Sequence, residues 1–215
     1  MNSVNGVDAL PSGNQHDFDS SRVVPGRNCD SCSLCCKLLS VSELEKPVGT
    51  WCSHCPSGRG GCAIYSRRPQ TCRTFNCSWL STPKLGPEWR PRISKMVIIQ
   101  ETPGHVAVYV DTGNPTAWQR EPYYGQLKTW AGVGVERGIQ VVVYIKNRAI
   151  CILPNKEVDL GTYNAGDALI VRTINTSRGR DFEALLVRAD DRTEEHQGRT
   201  RLRPQPDDIA AARAA

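Results

Sequence analysis

The sequence lacks any long apolar run. Nothing in its 215 residues approaches the ~20 consecutive apolar side chains that a bilayer-spanning helix needs, so no membrane partner is expected. The opening stretch MNSVNGVDALPSGNQHDFDSSR has no basic start and no apolar segment, so it does not read as a secretory leader, and a cytoplasmic protein is expected. Charge of one sign is not concentrated anywhere. The net +5 is spread along the chain, and a nucleic-acid partner, which needs a stronger local basic bias, is not expected. No internal repeat of fixed period is present. The glycine-rich piece GVGVERG lacks the strand-then-helix setting of a phosphate loop. Apolar residues are also scarce, at 39% of the chain, so the core is modest.

What the chain has instead is cysteine. Nine of its ten cysteines fall between Cys29 and Cys77, and only Cys151 stands apart. In a reducing compartment, clustered thiols hold metal or do redox chemistry more often than they form disulfides. The same stretch is poor in aliphatic side chains. A segment of about fifty residues with so little apolar surface is marginal by itself. A structural zinc site contributes roughly 10–16 kcal/mol in model peptides, enough to decide whether such a segment folds.

The spacing supports ligation. Cys29, Cys32 and Cys35 are separated by two residues each, and Cys36 follows directly. WCSHC adds Cys52 and Cys55 with the same spacing. Pairing Cys52 with either Cys32 or Cys35 fits a zinc-ribbon pattern of two cysteine pairs, and C-x2-C-x2-C also opens a bacterial ferredoxin pattern. GGCAIYSRRPQTCRTFNC supplies Cys62, Cys72 and Cys77. Pro69 predicts a helix start that places Cys72 near its positive end. Cys77 lies ~140° around that helix from Cys72, so it can join the same centre only if the helix has ended by then. Adjacent side chains diverge, so Cys35 and Cys36 suit two centres, or one centre plus a packing role, better than one tetrahedral site. His54, between two cysteines, is read as pointing outward. Cys151, inside a predicted strand, is read as a small core residue. Between Cys29 and Leu80 six Lys or Arg face three Asp or Glu, the sign that offsets a thiolate cluster.

The run CDSCSLCC, then WCSHC, then GGCAIYSRRPQTCRTFNCSWL resembles the CxxCxxCC cysteine-cluster family, a zinc- or iron-chelating domain of the YkgJ type. C-x-I-Y-x-x-R-P-x-x-C-R-x-F carries the most specific part of the resemblance, which covers residues 29 to 80, and WQREPYYGQLKTWA is similar to the C-terminal part of some members. The resemblance implies metal binding and no settled reaction. Some larger relatives are flagellin lysine methylases, and this chain is too short to carry what those proteins add.

The expected ligands are Cys29, Cys32, Cys35, Cys36, Cys55, Cys62 and Cys72, with Cys52 and Cys77 as additions. The cofactor is Zn²⁺ or an iron–sulfur cluster. The metal ion is the expected partner, and no protein partner is indicated. An iron–sulfur enzyme and a zinc-based interaction module remain open beside simple chelation.

Beyond residue 82 the pattern changes. STPKLGPEWRPR, with three prolines, predicts an extended connector. ISKMVIIQ and HVAVYVD predict a strand pair around ETPG. Asn114 and Pro115 predict a helix start, and Pro122 a second helix carrying Tyr123, Tyr124, Leu127, Trp130 and Ala131 on one face until Gly132 and Gly134 end it. With Trp118 and Arg120, these aromatics are read as core rather than as a pocket lining. IQVVVYIK and AICILP predict a hairpin across Asn147 and Arg148. DALIVRTIN and DFEALLVRA predict two more strands. The expected fold is α+β: a small, irregular, metal-stapled cysteine module (27–82) packed on an antiparallel or mixed sheet with short helices (83–190), between polar tails at 1–26 and 191–215.

Overall fold

The structure is a computed structural model that describes residues 23–29, 32–55, 61–102, 104–164, 166–177 and 179–191. The tails expected at 1–26 and 191–215 lie outside it except for residues 23–26 and 191. Its frame is a five-stranded mixed sheet in the order β1-β2-β3-β4-β5. β1 (Met96–Thr102) pairs antiparallel with β2 (His105–Val110), through Ile98 opposite Val108. β2 runs parallel to β3 (Gln140–Ile145), through Val108 opposite Val143. β4 (Arg148–Ile152) and β5 (Glu157–Thr162) continue antiparallel. A separate hairpin, β6 (Ala168–Thr176) with β7 (Gly179–Val187), completes the strands. The expected α+β class is what the chain forms.

The central strands read as near-continuous apolar runs, rich in valine, because both of their faces are covered. All of β2 is buried, and so are Val141 to Tyr144 of β3. Two parallel strands cannot be joined by a tight turn. The crossover from β2 to β3 is α5 (Tyr123–Arg137), which lays Leu127, Trp130 and Ala131 on the core at 1% exposure or less. The helix runs through Gly132 and Gly134 and stops at Gly138, whose φ of 68° is the left-handed turn that glycine accepts. At Gly134 the chain passes so close to the start of β3 that an added Cβ would lie 2.4 Å from the Ile139 carbonyl oxygen. The two glycines therefore sit inside the helix, and one of them allows close packing.

Three other expectations change. The proline-rich connector is not extended. Pro87 and Pro91 occupy first positions of a 3-10 turn (Pro87–Trp89) and of α4 (Pro91–Ser94), where the missing N–H costs nothing. This turn buries Trp89 edge-on against Tyr123, with ring centroids 4.9 Å apart. Pro115 does not start a helix; a 3-10 turn follows at Ala117–Gln119. The β3–β4 hairpin turns one residue earlier than expected, at Lys146 and Asn147, with Ile145 opposite Arg148. Trp118, Tyr123 and Trp130 are buried in the core as read, and Arg120 is exposed. No described helix is long and apolar enough to cross a membrane.

The cysteine-rich segment packs on β1 and its flank through short elements. These are α1 (Leu34–Leu38), α2 (Gln70–Thr74) and α3 (Ser78–Ser81), with 3-10 turns at Ser42–Leu44 and Tyr65–Arg67. Leu34, Leu38, Trp79 and Leu80 join the main core. Val24, in the chain before the first cysteine, donates its N–H to the Leu80 carbonyl at 2.8 Å. Lys37 of α1 pairs with Asp111 at the end of β2, tying the segment to the sheet.

Candidate metal centre

Short local turns set the position of each cysteine. The Cys32 N–H donates to the Cys29 carbonyl at 2.8 Å, and the Cys55 N–H to the Cys52 carbonyl at 3.0 Å, so both C-x2-C segments close as tight turns. The Cys52 N–H donates to the Cys36 carbonyl at 2.9 Å, which docks the second turn on α1. The Ala63 N–H reaches the His54 carbonyl at 2.8 Å and brings Cys62 alongside. Glu43 accepts from the Thr71 N–H at 3.0 Å and from its hydroxyl, fixing the start of α2 and with it Cys72. That helix ends at Thr74, so Cys77 is free of its geometry and instead precedes α3. There the Leu80 N–H donates to the Cys77 carbonyl at 2.9 Å, and the Leu80 and Trp79 N–H groups lie close enough to the Cys77 sulfur to favour its thiolate.

The thiols touch one another. Ser33 donates to the Cys55 sulfur, Cys55 donates to Cys36, and Cys35 donates to Cys36 from its other side. Hydrogen bonding to Cys36, helped by burial, pushes the Cys35 thiol well up. The thiol accepting these bonds, Cys36, is pulled down; Lys46 and Arg68 add to that effect. Burial pushes Cys55 and Cys72 up to about 11 and Cys77 up to about 12. Cys151 also sits at about 12, through burial alone, at 0% exposure in β4 far from these groups.

Cations lie against the thiols. Lys46 is 4% exposed, and its ammonium donates to the carbonyls of Lys37, Leu39 and Pro47, while Cys52, Cys36, Cys35 and Cys72 surround it electrostatically. Arg68 stacks over Tyr65, with the guanidinium carbon 3.7 Å from the ring centroid, on the side of Cys36. Arg27 faces Cys77, stacks on Trp79 and donates to the carbonyls of Trp79, Thr82, Pro83 and Leu85. The roles of Lys46 and Arg27 could not be read from the sequence, because nothing local marks one lysine or arginine as the one the fold turns inward.

The nine clustered cysteines are all thiols, as is Cys151, and no disulfide joins them. Their chemistry suits soft thiolate-binding metals, and backbone N–H groups directed at sulfur are what a thiolate centre uses. The side chains as they stand do not complete a centre: among the described residues, no group of three or more His, Cys, Asp or Glu is arranged to hold a metal ion. Residues 30–31 and 56–60, beside two of the turns, lie outside the described residues. The cleft where this segment meets the sheet, between Leu38, Val48, Tyr109 and Tyr144, encloses about 10 Å³, room for a single water at most. Comparison with protein-family models, curated proteins and solved structures finds no match to this chain.

Proposed function

We propose that the protein is a metal chelator, holding Zn²⁺ or an iron–sulfur cluster with the thiolates of its cysteine segment. One observation carries the reading: nine cysteines from six short turns and helices are electrostatic neighbours of one another, with buried or stacked cations beside them. A gathered set of thiols with a buried lysine is costly unless negative charge develops nearby. Bound metal would supply that charge, since four thiolates around Zn²⁺ carry about minus two in sum. The resemblance of CDSCSLCC and CAIYSRRPQTCRTF to the CxxCxxCC family agrees with this reading and rests on those motifs alone.

The test is anaerobic purification without chelator, followed by metal and sulfide analysis and a visible spectrum. Colourless protein with stoichiometric zinc, or brown protein with inorganic sulfide, is the expected result and separates the two cofactors. Cys32→Ser and Cys72→Ser should each lower metal content, while Cys151→Ser leaves it unchanged. Metal-free protein that keeps its fold would overturn the reading.

A second reading has its own support. Trp51 and Tyr65 are exposed at 39% and 52%, and each carries a basic group, Lys37 or Arg68, over its ring. An exposed aromatic and basic surface on a metal-stapled module suits contact with another macromolecule. Binding to the metal-loaded chain that Trp51→Ala abolishes, without loss of metal, would favour it.

A further inference from the structure

We propose that the outer edge of β6 pairs antiparallel with β6 of a second copy of the chain, about a twofold axis at Ile174. The pairing uses no cysteine and stands apart from chelation.

A strand edge with unpaired N–H and C=O groups is a template for another strand, and proteins blunt such edges with bulges, prolines, lysines or a covering element. The main sheet is blunted on both sides. Register shifts interrupt its outer ladders between Gln100 and Thr102 and between Ala149 and Ile150. α1, α3 and α4 lie against β1, and β7 lies alongside β5. Along that second boundary Lys156 pairs with Asp181, and Arg188 donates to the Thr162 carbonyl. β6 carries none of these devices except one charge, Arg172. It pairs with β7 over all nine of its residues without a register shift, and it holds no Pro, Gly or Lys. Since β7 faces β5, β6 is the open side of the hairpin. Its residues from Arg172 to Thr176 are exposed.

One bond shows which backbone groups are free. The Leu169 carbonyl accepts from the Gln140 side chain at 3.4 Å, so at Leu169 the backbone faces away from β7. Directions alternate along an antiparallel ladder, so Val171, Thr173 and Asn175 face outward as well. Among the described residues, none of these three bonds to backbone outside the hairpin. A second β6 satisfies them when outward residues meet outward residues, each such pair exchanging two N–H···O bonds.

Side chains choose among the registers that do this. A dimer centred on Arg172 sets two arginines directly opposite each other, which is repulsive. One centred on Thr173 sets Ile174 opposite Arg172 of the second copy. Centres nearer the turn shorten the overlap. A dimer centred on Ile174 joins Thr173 to Asn175 through backbone bonds in both directions. It sets the two isoleucines opposite each other at a non-hydrogen-bonded site, where side chains stand closest. Ile174, a large apolar side chain left 40% exposed, is then covered by its own copy. Arg172 falls opposite Thr176, ~13 Å along the strands from the other Arg172, where salt screens the repulsion. Each arginine keeps Glu183 opposite it within its own hairpin. The twofold makes the contact self-complementary and closed, which gives a dimer rather than a filament.

Sedimentation velocity of the full-length chain, under reducing and anaerobic conditions across a micromolar concentration series, reads the association directly. The reductant removes disulfide-linked species. Wild type should move from monomer to dimer as concentration rises. Ile174→Glu and Ile174→Lys should each raise the dissociation constant about tenfold. An equimolar mixture of the two should restore association, because position 174 meets its own copy. Thr173→Pro removes an outward N–H and leaves the β6–β7 ladder intact, so it should give a monomer with an unchanged thermal melt. The charge pair, at an exposed position, decides the matter even where the proline variant melts early. A wild type that stays monomeric across the series would overturn the proposal and leave the edge to an extended segment of a different protein. A dimer that Thr173→Pro leaves unchanged would place the contact on another surface. Charged variants that fail to complement each other would overturn the axis at Ile174.

Discussion

Lys46 is the residue whose position asks most for an explanation. Its ammonium is hidden from water among three carbonyl oxygens at the end of α1, and burial lowers its pKa while the surrounding sulfurs work in the opposite direction. A buried cation is costly when the groups around it are neutral and becomes favourable when they are thiolates. Replacing Lys46 with Met leaves those carbonyls without their donor and should destabilise the chain by about 1–3 kcal/mol in urea. The informative comparison is between states. Lys46→Met should cost more in the metal-loaded protein than in the metal-free protein, because only the former holds the full negative charge. An equal cost in both would remove the counter-ion role and leave a helix cap. Cys151 supplies the contrast. It is as apolar in its surroundings as Val142 opposite it, and nothing about it requires a metal.

At the scale of elements, α5 shows how two identical residues in one helix can have opposite roles. Nothing lies within 4 Å of a Cβ built on Gly132, whereas one on Gly134 meets the Ile139 carbonyl oxygen at 2.4 Å. Gly132→Ala should therefore stabilise the helix by about 0.5–1 kcal/mol, through the entropy that glycine loses on folding. Gly134→Ala should destabilise the protein by about 1–3 kcal/mol, because backbone must move. Thermal melts of the two variants check the signs, and a stabilised Gly134→Ala would contradict the close approach of α5 to β3. Both glycines read as helix terminators in the sequence, since a glycine needed for packing and one that ends a helix look alike there. The same limit applied to Pro87 and Pro91, which read as breakers but begin short helical turns that bury Trp89. The sheet was far more legible. Val106 to Val110 and Val141 to Ile145 are continuous apolar runs rich in valine, and such runs form strands covered on both faces. β5 was missed because Glu157, Asp159 and Gly161 leave it only half-covered at the sheet edge, with no apolar run to mark it. At the candidate site the sequence marked the clustered cysteines by their spacing, but not the cations Lys46 and Arg27 that the fold turns toward them. Where α2 stops, which frees Cys77 from its geometry, is not written in the spacing either.

Across the whole molecule, two kinds of cohesion meet. The sheet, α5 and Cys77 share one continuous apolar core, from Leu34 and Leu80 through Val108 to Leu169, and Cys29 and Cys35 pack against it. Among the described residues, the turns carrying Cys52, Cys62 and Cys72 contribute no side chain to that core. They hold on through the Cys52–Cys36 backbone bond, the Glu43–Thr71 contact and the thiols themselves. Local stability follows buried apolar contact, so segments without it open most readily. If metal replaces the missing apolar cohesion, a chelator should act unevenly. Residues 41–74 should lose amide protection by orders of magnitude in hydrogen exchange, because binding free energy at a structural site is folding free energy. β2, β3 and α5 should keep their protection, since their burial does not depend on the cysteines. The flank formed by α1 and α3 should fall between these extremes: its leucines stay packed on β1, and the Lys37–Asp111 pair still ties it to the sheet. Exchange measured by mass spectrometry with and without chelator resolves the three zones. Uniform loss across the sheet would mean that the metal supports the entire fold. Unchanged protection in residues 41–74 would mean that these turns stand without it, and the thiols would then need another reason to be gathered there.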